Sequence, residues 1–283
     1  MVQLITCRQG VNTVFVTLPF KPSNFDEHFP RFLKACETAH VKRILKLSFY
    51  HSTKSKAAHL SQHFGDPPDT KSVTFHDVPF VHKHALCDGD LVLHGQFDVT
   101  LLFASHLMSN VFRYGVERKA LKDNHEFYGA SGGKGVNYVS PNDVADVVVK
   151  AIFEKSHKRQ AFTLTGPTAI TDEEVAQLLS KRFGTKITYV EAPLDFFDED
   201  TAALERIKAT GVEENANFVK HDFKNYIQRD PESFEDYLMA THRMSLIEQE
   251  GCGWGHPVKE VKEVAPAKED VEEIENIGDV VAQ

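Results

Sequence analysis

Histidine is the residue type with the widest chemical reach in this 283-residue chain, with 15 in all and eight between His51 and His106. His59 and His63 stand four apart, on one face of any helix, but the segment reads HLSQH. It lacks the HExxH glutamate that gives a zincin its general base. His82 and His84 would share a strand face. Solvated surface histidines account for both pairs better than a metal site does. Cys87 lies three residues beyond His84, a spacing that suggests a nucleophile and its base, yet no third orienting group or oxyanion loop accompanies them. Cys7, Cys36, Cys87 and Cys252 form no CxxC pair, so neither a thiolate zinc site nor a disulfide framework is indicated. Gly129-Ala-Ser-Gly-Gly-Lys-Gly135 imitates a phosphate loop. Its spacing is one residue short, and Gly135 occupies the place of the metal-binding hydroxyl, so it is read as a turn.

These residues must be carried by a soluble α/β scaffold. Apolar residues make up 41% and charged residues 26%, enough for a substantial core. The net charge of −9 argues against a general nucleic-acid or anionic-membrane binder, which needs a basic face. No stretch approaches the roughly 20 apolar residues of a membrane helix, and the N-terminal segment is not a signal peptide. A cytoplasmic location is expected.

Strand and helix patterns alternate. Val11–Leu18, Val41–Phe49 and Asp98–Phe103 are apolar runs suited to strands covered on both faces. Between them, Asn24 to Thr38 has helical spacing with Asn24 as cap, although Pro30 predicts a late start or a kink. A second helix is expected from about His84 to Leu93. Strand, helix and strand in succession build a parallel sheet. The segment from Ser52 to Val81 loses periodicity and reads as a lid or surface insertion. Tyr128–Val136 reads as a loop. Ser140-Pro141 opens a helix whose apolar stripe is Val144, Val147, Val148, Ala151 and Ile152. Ala161–Leu164 and Lys186–Val190 are short strands, and Thr171-Asp-Glu-Glu174 is a capping box. From Leu194 the patterns are helical. Residues 257–283 carry eight acids and three lysines and are expected to be disordered.

Five segments resemble the NmrA-like family of atypical short-chain dehydrogenase/reductases. Ala39–Phe49 (AHVKRILKLSF) is similar to that family's AGVKRFVYLSS strand. His84-x-x-x-Asp88, Gly95 and Val99-Thr-Leu-Leu102 follow its (H/K)xxxE, SG and YTILRP series. Phe103–Asn110 has the spacing of RPxxFxxN, Val139–Ala145 resembles vxvxDiA, and Leu164–Val175 resembles LTGPEALTxxEiA closely. The resemblance spans about residues 10 to 250.

The resemblance implies a Rossmann-like parallel sheet with a smaller, mainly helical C-terminal part. It places a partial NAD(P)-binding domain at 1–165, a substrate or partner subdomain at 166–250 and an acidic tail at 251–283. It also implies NADP or NAD as cofactor, held at the carboxyl ends of the strands by Thr17, Leu18, Pro19, Ser48, Phe49, Phe103 and Ala104. His84 falls where the family carries Lys or His and is the first candidate for substrate polarisation or proton donation, with Lys83 second. Two departures stand out. The family's opening GxxGxxG loop has no counterpart, since residues 10–20 align with its fourth strand, so the sheet is expected to be N-terminally truncated and the dinucleotide weakly held. Phe103-Ala104 also replaces the family's Arg-Pro. The implied function is reduction of a small carbonyl, quinone or enone. The alternative is a non-catalytic dinucleotide or redox sensor, or a protein-interaction scaffold. An uncovered Val11–Thr17 edge strand would favour self-association or a protein partner.

Overall fold

A computed structural model describes residues 10–18, 25–50, 79–112, 120, 121, 123–154, 160–197, 201, 202, 204–208 and 219–241. In chain order the strands are β1 (Thr13–Thr17), β2 (Arg43–Phe49), β3 (Asp98–Ala104), β4 (His106–Leu107), β5 (Glu126–Gly129), β6 (Val136–Val139), β7 (Gln160–Leu164), β8 (Ala169–Ile170) and β9 (Thr188–Glu191). The helices are α1 (Phe25–Thr38), α2 (Pro79–Leu93), α3 (Pro141–Phe153), α4 (Asp172–Phe183), α5 (Asp222–Ile227) and α6 (Phe234–Ala240).

Strands β1, β2, β3 and β7 form one parallel sheet in that order. Thr17 lies opposite Leu47, Phe49 opposite Ala104, and Ala104 opposite Leu164, so the carboxyl ends of the strands form one rim. Alternation along each strand sorts side chains to two faces. On one face, Ile44, Val99, Leu101 and Phe103 pack with Phe29, Leu33 and Cys36 of α1 and Cys87 and Leu91 of α2. On the other, Leu45, Leu102 and Ala104 meet Val144, Val147, Val148 and Ala151 of α3 and Phe223 of α5. A third core joins β5 and β6 to α4 and α6 through Phe127, Tyr138, Val175, Leu179, Phe234 and Leu238.

Local signals explain most boundaries. Ser140 caps α3 by accepting from the Asn142 amide, with proline at the first helical position. Thr171 and Glu174 close the expected capping box on α4, which ends at Gly184 in the left-handed conformation, φ 68°. Gly132 and Gly133, also at positive φ, turn the chain between β5 and β6. The P-loop imitation is therefore a connection, as expected.

Four readings need correction. α1 starts at Phe25 and runs through Pro30, because the buried stripe Phe25, Phe29, Leu33 and Cys36 outweighs one missing backbone bond. α2 starts at Pro79, a turn before the expected His84, with proline in the first position where no amide donor is needed. Tyr128 and Gly129 belong to strand β5, too short to show periodicity. Ile152 is 36% exposed and does not complete the α3 stripe. The lid or insertion read at Ser52–Val81 falls mostly outside the described residues, as do Asn24, His59, His63, Pro19 and the acidic tail. No helix among the described residues is long and apolar enough to cross a membrane.

Among the described residues β1 is one edge of the main sheet. Phe15 points outward, 39% exposed, whereas Val16 packs against the α1–α2 core. Phe15→Lys is therefore expected to change unfolding free energy by less than about 1 kcal/mol and to lower concentration-dependent association. Val16→Lys should lose about 1–3 kcal/mol by placing an ammonium against the core. Urea titration and sedimentation at several concentrations read both.

Candidate active site

Two clusters of buried polar side chains stand out, one on the α1–α2 face of the main sheet and one in the lobe beyond β3. The first begins with spacing. Lys46 and Ser48 are two apart on β2 and share a face, while His84 and Asp88 are four apart on α2 and share a helix side. Packing α2 on β2 brings the four together. Lys46 and Asp88 form an ion pair of 2.6 Å with both side chains fully buried. Ser48 Oγ donates to Asp88 Oδ2 at 2.5 Å, and Lys46 Nζ donates to Ser48 Oγ at 3.2 Å. Lys46 Nζ also lies 3.5 Å from His84 Nδ1.

His84 presents an edge to the Phe25 ring at 5.4 Å and is buried. Burial, together with the Lys46 charge, holds it well below the ordinary histidine range, so it is a neutral imidazole. Burial pushes the Cys87 thiol up to about 12, against the opposing pull of Lys46. Cys87 is thus a protonated core thiol, and the nucleophile–base reading with His84 falls away. Lys83 points elsewhere: its ammonium lies 3.1 Å from Asp26 and 6.0 Å from the Phe25 ring centroid.

The remaining expected positions follow the rim. Ser48, Phe49, Phe103 and Ala104 stand at the carboxyl ends of β2 and β3, paired in register, and Thr17 and Leu18 end β1. Ser48 and Phe103 face the α1–α2 side. Ala104 faces the other. Among the described residues no group of His, Cys, Asp and Glu is arranged to hold a metal ion.

The second cluster was not legible beforehand. His106, which opens β4 two residues after the end of β3, pairs in register with Tyr138 of β6. Tyr138 Oη donates to Asp172 Oδ1 at 3.4 Å, at the start of α4. Lys208, from the helical residues 204–208, reaches Asp172 Oδ1 at 3.3 Å and both oxygens of Glu205, at 2.8 and 2.9 Å. Glu205 also accepts from the Ala130 amide at 2.9 Å. Burial works against the Lys208 charge, but Tyr138, Asp172 and Glu205 overcome it and hold its pKa well above the ordinary value. Burial raises Tyr138 far above an ordinary phenol. Burial and Lys208 push His106 down to about 3. Gly129 makes the arrangement possible, because a Cβ there would stand 2.4 Å from Asp172 Oδ2.

These groups border an open pocket lined by His106, Asn110, Phe127, Tyr128, Tyr138 and Lys208 among others. Its aromatic wall continues through Tyr128, stacked on Phe196 at 4.5 Å. The pocket reaches the rim through His106, whose ring meets Phe49 edge-on at 5.4 Å. Asn137 fastens the two regions by accepting from Ser105 Oγ and from the Gly166 amide. A Cβ on Gly166 would lie 2.0 Å from the Tyr138 carbonyl oxygen, so only glycine fits.

Comparison with known proteins bears on the fold of this rim and pocket. No protein-family model matches the chain. Over 96 residues it is 32% identical to an NAD(P)H azoreductase of Xenophilus azovorans, covering 34% of this chain and 32% of that protein. Over 138 residues it is 27% identical to festuclavine dehydrogenase of Aspergillus fumigatus, covering 47% of each. The chain thus matches about a third to about a half of the length of these curated relatives. An NADPH-dependent quinone oxidoreductase of Escherichia coli, solved with NADPH, superposes with a TM-score of 0.62 at 18% identity, over 81% of this chain and 76% of that one. The fold is Rossmann-like α/β.

Two measurements test the clusters. Asp88→Ala leaves the Lys46 ammonium buried and short of its carboxylate, and is expected to lose about 3–5 kcal/mol of stability. The double variant Lys46→Met/Asp88→Leu should recover most of that loss, as read by urea unfolding. The second is pH dependence. Below about pH 6.5 the unfolded chain protonates His106 while the native state does not, so stability must fall on acidification. The loss from this residue approaches about 1.4 kcal/mol per pH unit and reaches about 2 kcal/mol by pH 5. His84 acts in the same direction. His106→Gln should flatten the profile between pH 6.5 and 4, and an unchanged profile would refute the assignment.

Proposed function

We propose that the chain is an NAD(P)-dependent oxidoreductase of the NmrA-like type that reduces a small conjugated acceptor, in a cytoplasmic setting. The observation that carries this reading is the junction at Phe49 and His106, where an aromatic pocket opens on the carboxyl ends of a parallel sheet. Open α/β sheets bind their ligands at this edge. The similar proteins point the same way, since an NAD(P)H azoreductase and an NADPH-dependent quinone oxidoreductase both carry nicotinamide cofactors by name.

Phe49 and Ala104 face one side of the sheet at its carboxyl rim and Ser48 and Phe103 the other, with Thr17 and Leu18 at the end of β1. The half-buried Phe49 ring is the surface that supports a nicotinamide at this edge. The reduced nicotinamide would supply the hydride, and the protein's part is to orient the ring and the acceptor and to exclude water. The glycine turn at Gly132 and Gly133 joins β5 to β6 and follows no strand of the main sheet, so it offers no pyrophosphate cradle at the rim. His84, a neutral imidazole beside Lys46, polarises by hydrogen bonding and holds no spare proton to give. Lys83, engaged with Asp26, serves the α1–α2 packing first.

Fluorescence titration of the purified chain with NADPH is expected to show saturable binding with a Kd above about 10 μM. Slow NADPH oxidation with a soluble quinone should accompany it. Absence of saturable binding up to about 1 mM would remove the reductase reading and favour the interaction-scaffold alternative.

A further inference from the structure

We propose that the outer face of α3 pairs with the same helix of a second copy of this chain, antiparallel about a two-fold axis at Val149. A two-fold contact requires one surface to be complementary to itself, residue i meeting j while j meets i. The α3 face meets that requirement in shape and in charge.

Shape comes first. The inner stripe of α3, Val144, Val147, Val148 and Ala151, is buried against the main sheet. Ala145, Val149, Ile152 and Phe153 lie on the opposite side, spaced i, i+4, i+7 and i+8, and span an arc of about 100°. All four are exposed, Val149 at 54% and Phe153 at 79%. Single exposed apolar side chains are ordinary, but a continuous second stripe on a helix that already buries one is not. The charged side chains beside the stripe are turned onto the chain itself. Asp146 accepts from Arg229 at 2.5 Å, and Lys150 donates to the Tyr226 carbonyl with its ammonium 4.5 Å from the Tyr226 ring centroid. At about 1.5 Å of rise per residue, Ala145 and Phe153 stand about 6 Å on either side of Val149. Antiparallel pairing about Val149 therefore sets the large Phe153 ring of each copy against the small Ala145 of the other, at both ends of the contact. Parallel pairing would set ring on ring and leave the alanines facing each other across a gap.

Charge selects the same arrangement. The start of α3 presents Asp146 and the carboxylate of Glu232, which accepts from Asn142 Nδ2 at 3.1 Å. Arg229 is shared there between Asp143 and Asp146. The other end is basic. Lys150 lies on the helix, and Lys155, Lys158 and Arg159 follow in the sequence, outside the described residues, with Glu154 the one acid from 150 to 159. Antiparallel pairing brings the basic end of each copy over the acidic end of the other. Along the axis it places Asp146 within about 3 Å of the partner's Lys150. Parallel pairing would bring like ends together. The charges thus set orientation, while Val149 and Phe153 supply the attraction. One helix face is a small interface, so the dimer is weak, with a Kd on the order of 10 μM.

Sedimentation across concentrations that bracket this value tests the pairing, on the full chain and on Phe15→Lys, which takes the β1 edge out of play. A monomer–dimer equilibrium is expected in both. Phe153→Asp should raise the dimer Kd at least about tenfold and leave the thermal melt unchanged, because so little of the ring touches its own chain. Orientation is read by disulfide trapping under mild oxidation, with the bridge located by peptide mapping. Mixed Ala145→Cys and Phe153→Cys chains should form a bridge joining position 145 of one copy to position 153 of the other, while Phe153→Cys alone should form none at 153. A chain that stays monomeric at every concentration would overturn the proposal. So would a dimer indifferent to Phe153→Asp, or a bridge between two 153 positions in place of the mixed one.

Discussion

A lysine ammonium with no exposed side-chain atom, on a central strand of a parallel sheet, is the constraint around which the rim is built. Removing such a charge from water costs several kcal/mol unless a counter-charge and further acceptors replace the lost solvent. Asp88 and Ser48 supply them for Lys46, and supplying them fixes α2 against β2 in one register. A shift of α2 by a single residue would swing Asp88 about 100° away and leave the charge uncompensated. That same register sets His84 one turn earlier on the helix, against Lys46 and Phe25. The orientation of the expected functional histidine is thus a by-product of burying a lysine.

A second solution to the same problem shapes the pocket. Lys208 is buried in the lobe beyond β3, and its partners come from the start of α4 and from its own helix. Arg43 repeats the theme on the α3 side, donating to the Ala151 carbonyl and to Thr100. Each buried cation ties a helix to a strand or to another helix at a defined point. Apolar packing alone would allow sliding at those points, whereas an unpaired charge would not. Gly129 and Gly166 belong to this scheme, because each lets a polar group come closer than any side chain would allow.

Much of the scaffold was legible because it follows local rules. The sheet strands are continuous apolar runs, the capping box at Thr171 needs four residues of sequence, and Ser140-Pro141 announces its helix. The rim residues could be placed because strand ends can. What escaped was either too short or too distributed. β5 is four residues long and offers no period to detect. The Tyr138, Asp172, Glu205 and Lys208 cluster draws on β6, α4 and the 204–208 helix, so no window of sequence contains it. Two signals did point to it. Glu205 and Lys208 stand three apart within the otherwise apolar pattern of Leu204 and Ile207, and Asp172 sits inside a capping box although capping does not require it to be buried. Lys46 gave a similar signal, a charge inside the strand run VKRILKLSF. In each case a charge at a position whose neighbours demand burial implies a partner, but not which one.

The two buried lysines differ in stoichiometry. Lys46 meets one carboxylate, Asp88. Lys208 meets two, Glu205 and Asp172. Glu205 chelates Lys208 with both oxygens. Asp172 adds its charge at 3.3 Å and accepts from Tyr138 Oη, while its second oxygen finds no hydrogen-bond partner. Leaving a buried oxygen unsatisfied normally costs about 1–3 kcal/mol. The Asp172 charge, which with Glu205 and Tyr138 keeps the buried Lys208 ammonium ionised, offsets that cost and ties the start of α4 to the 204–208 helix.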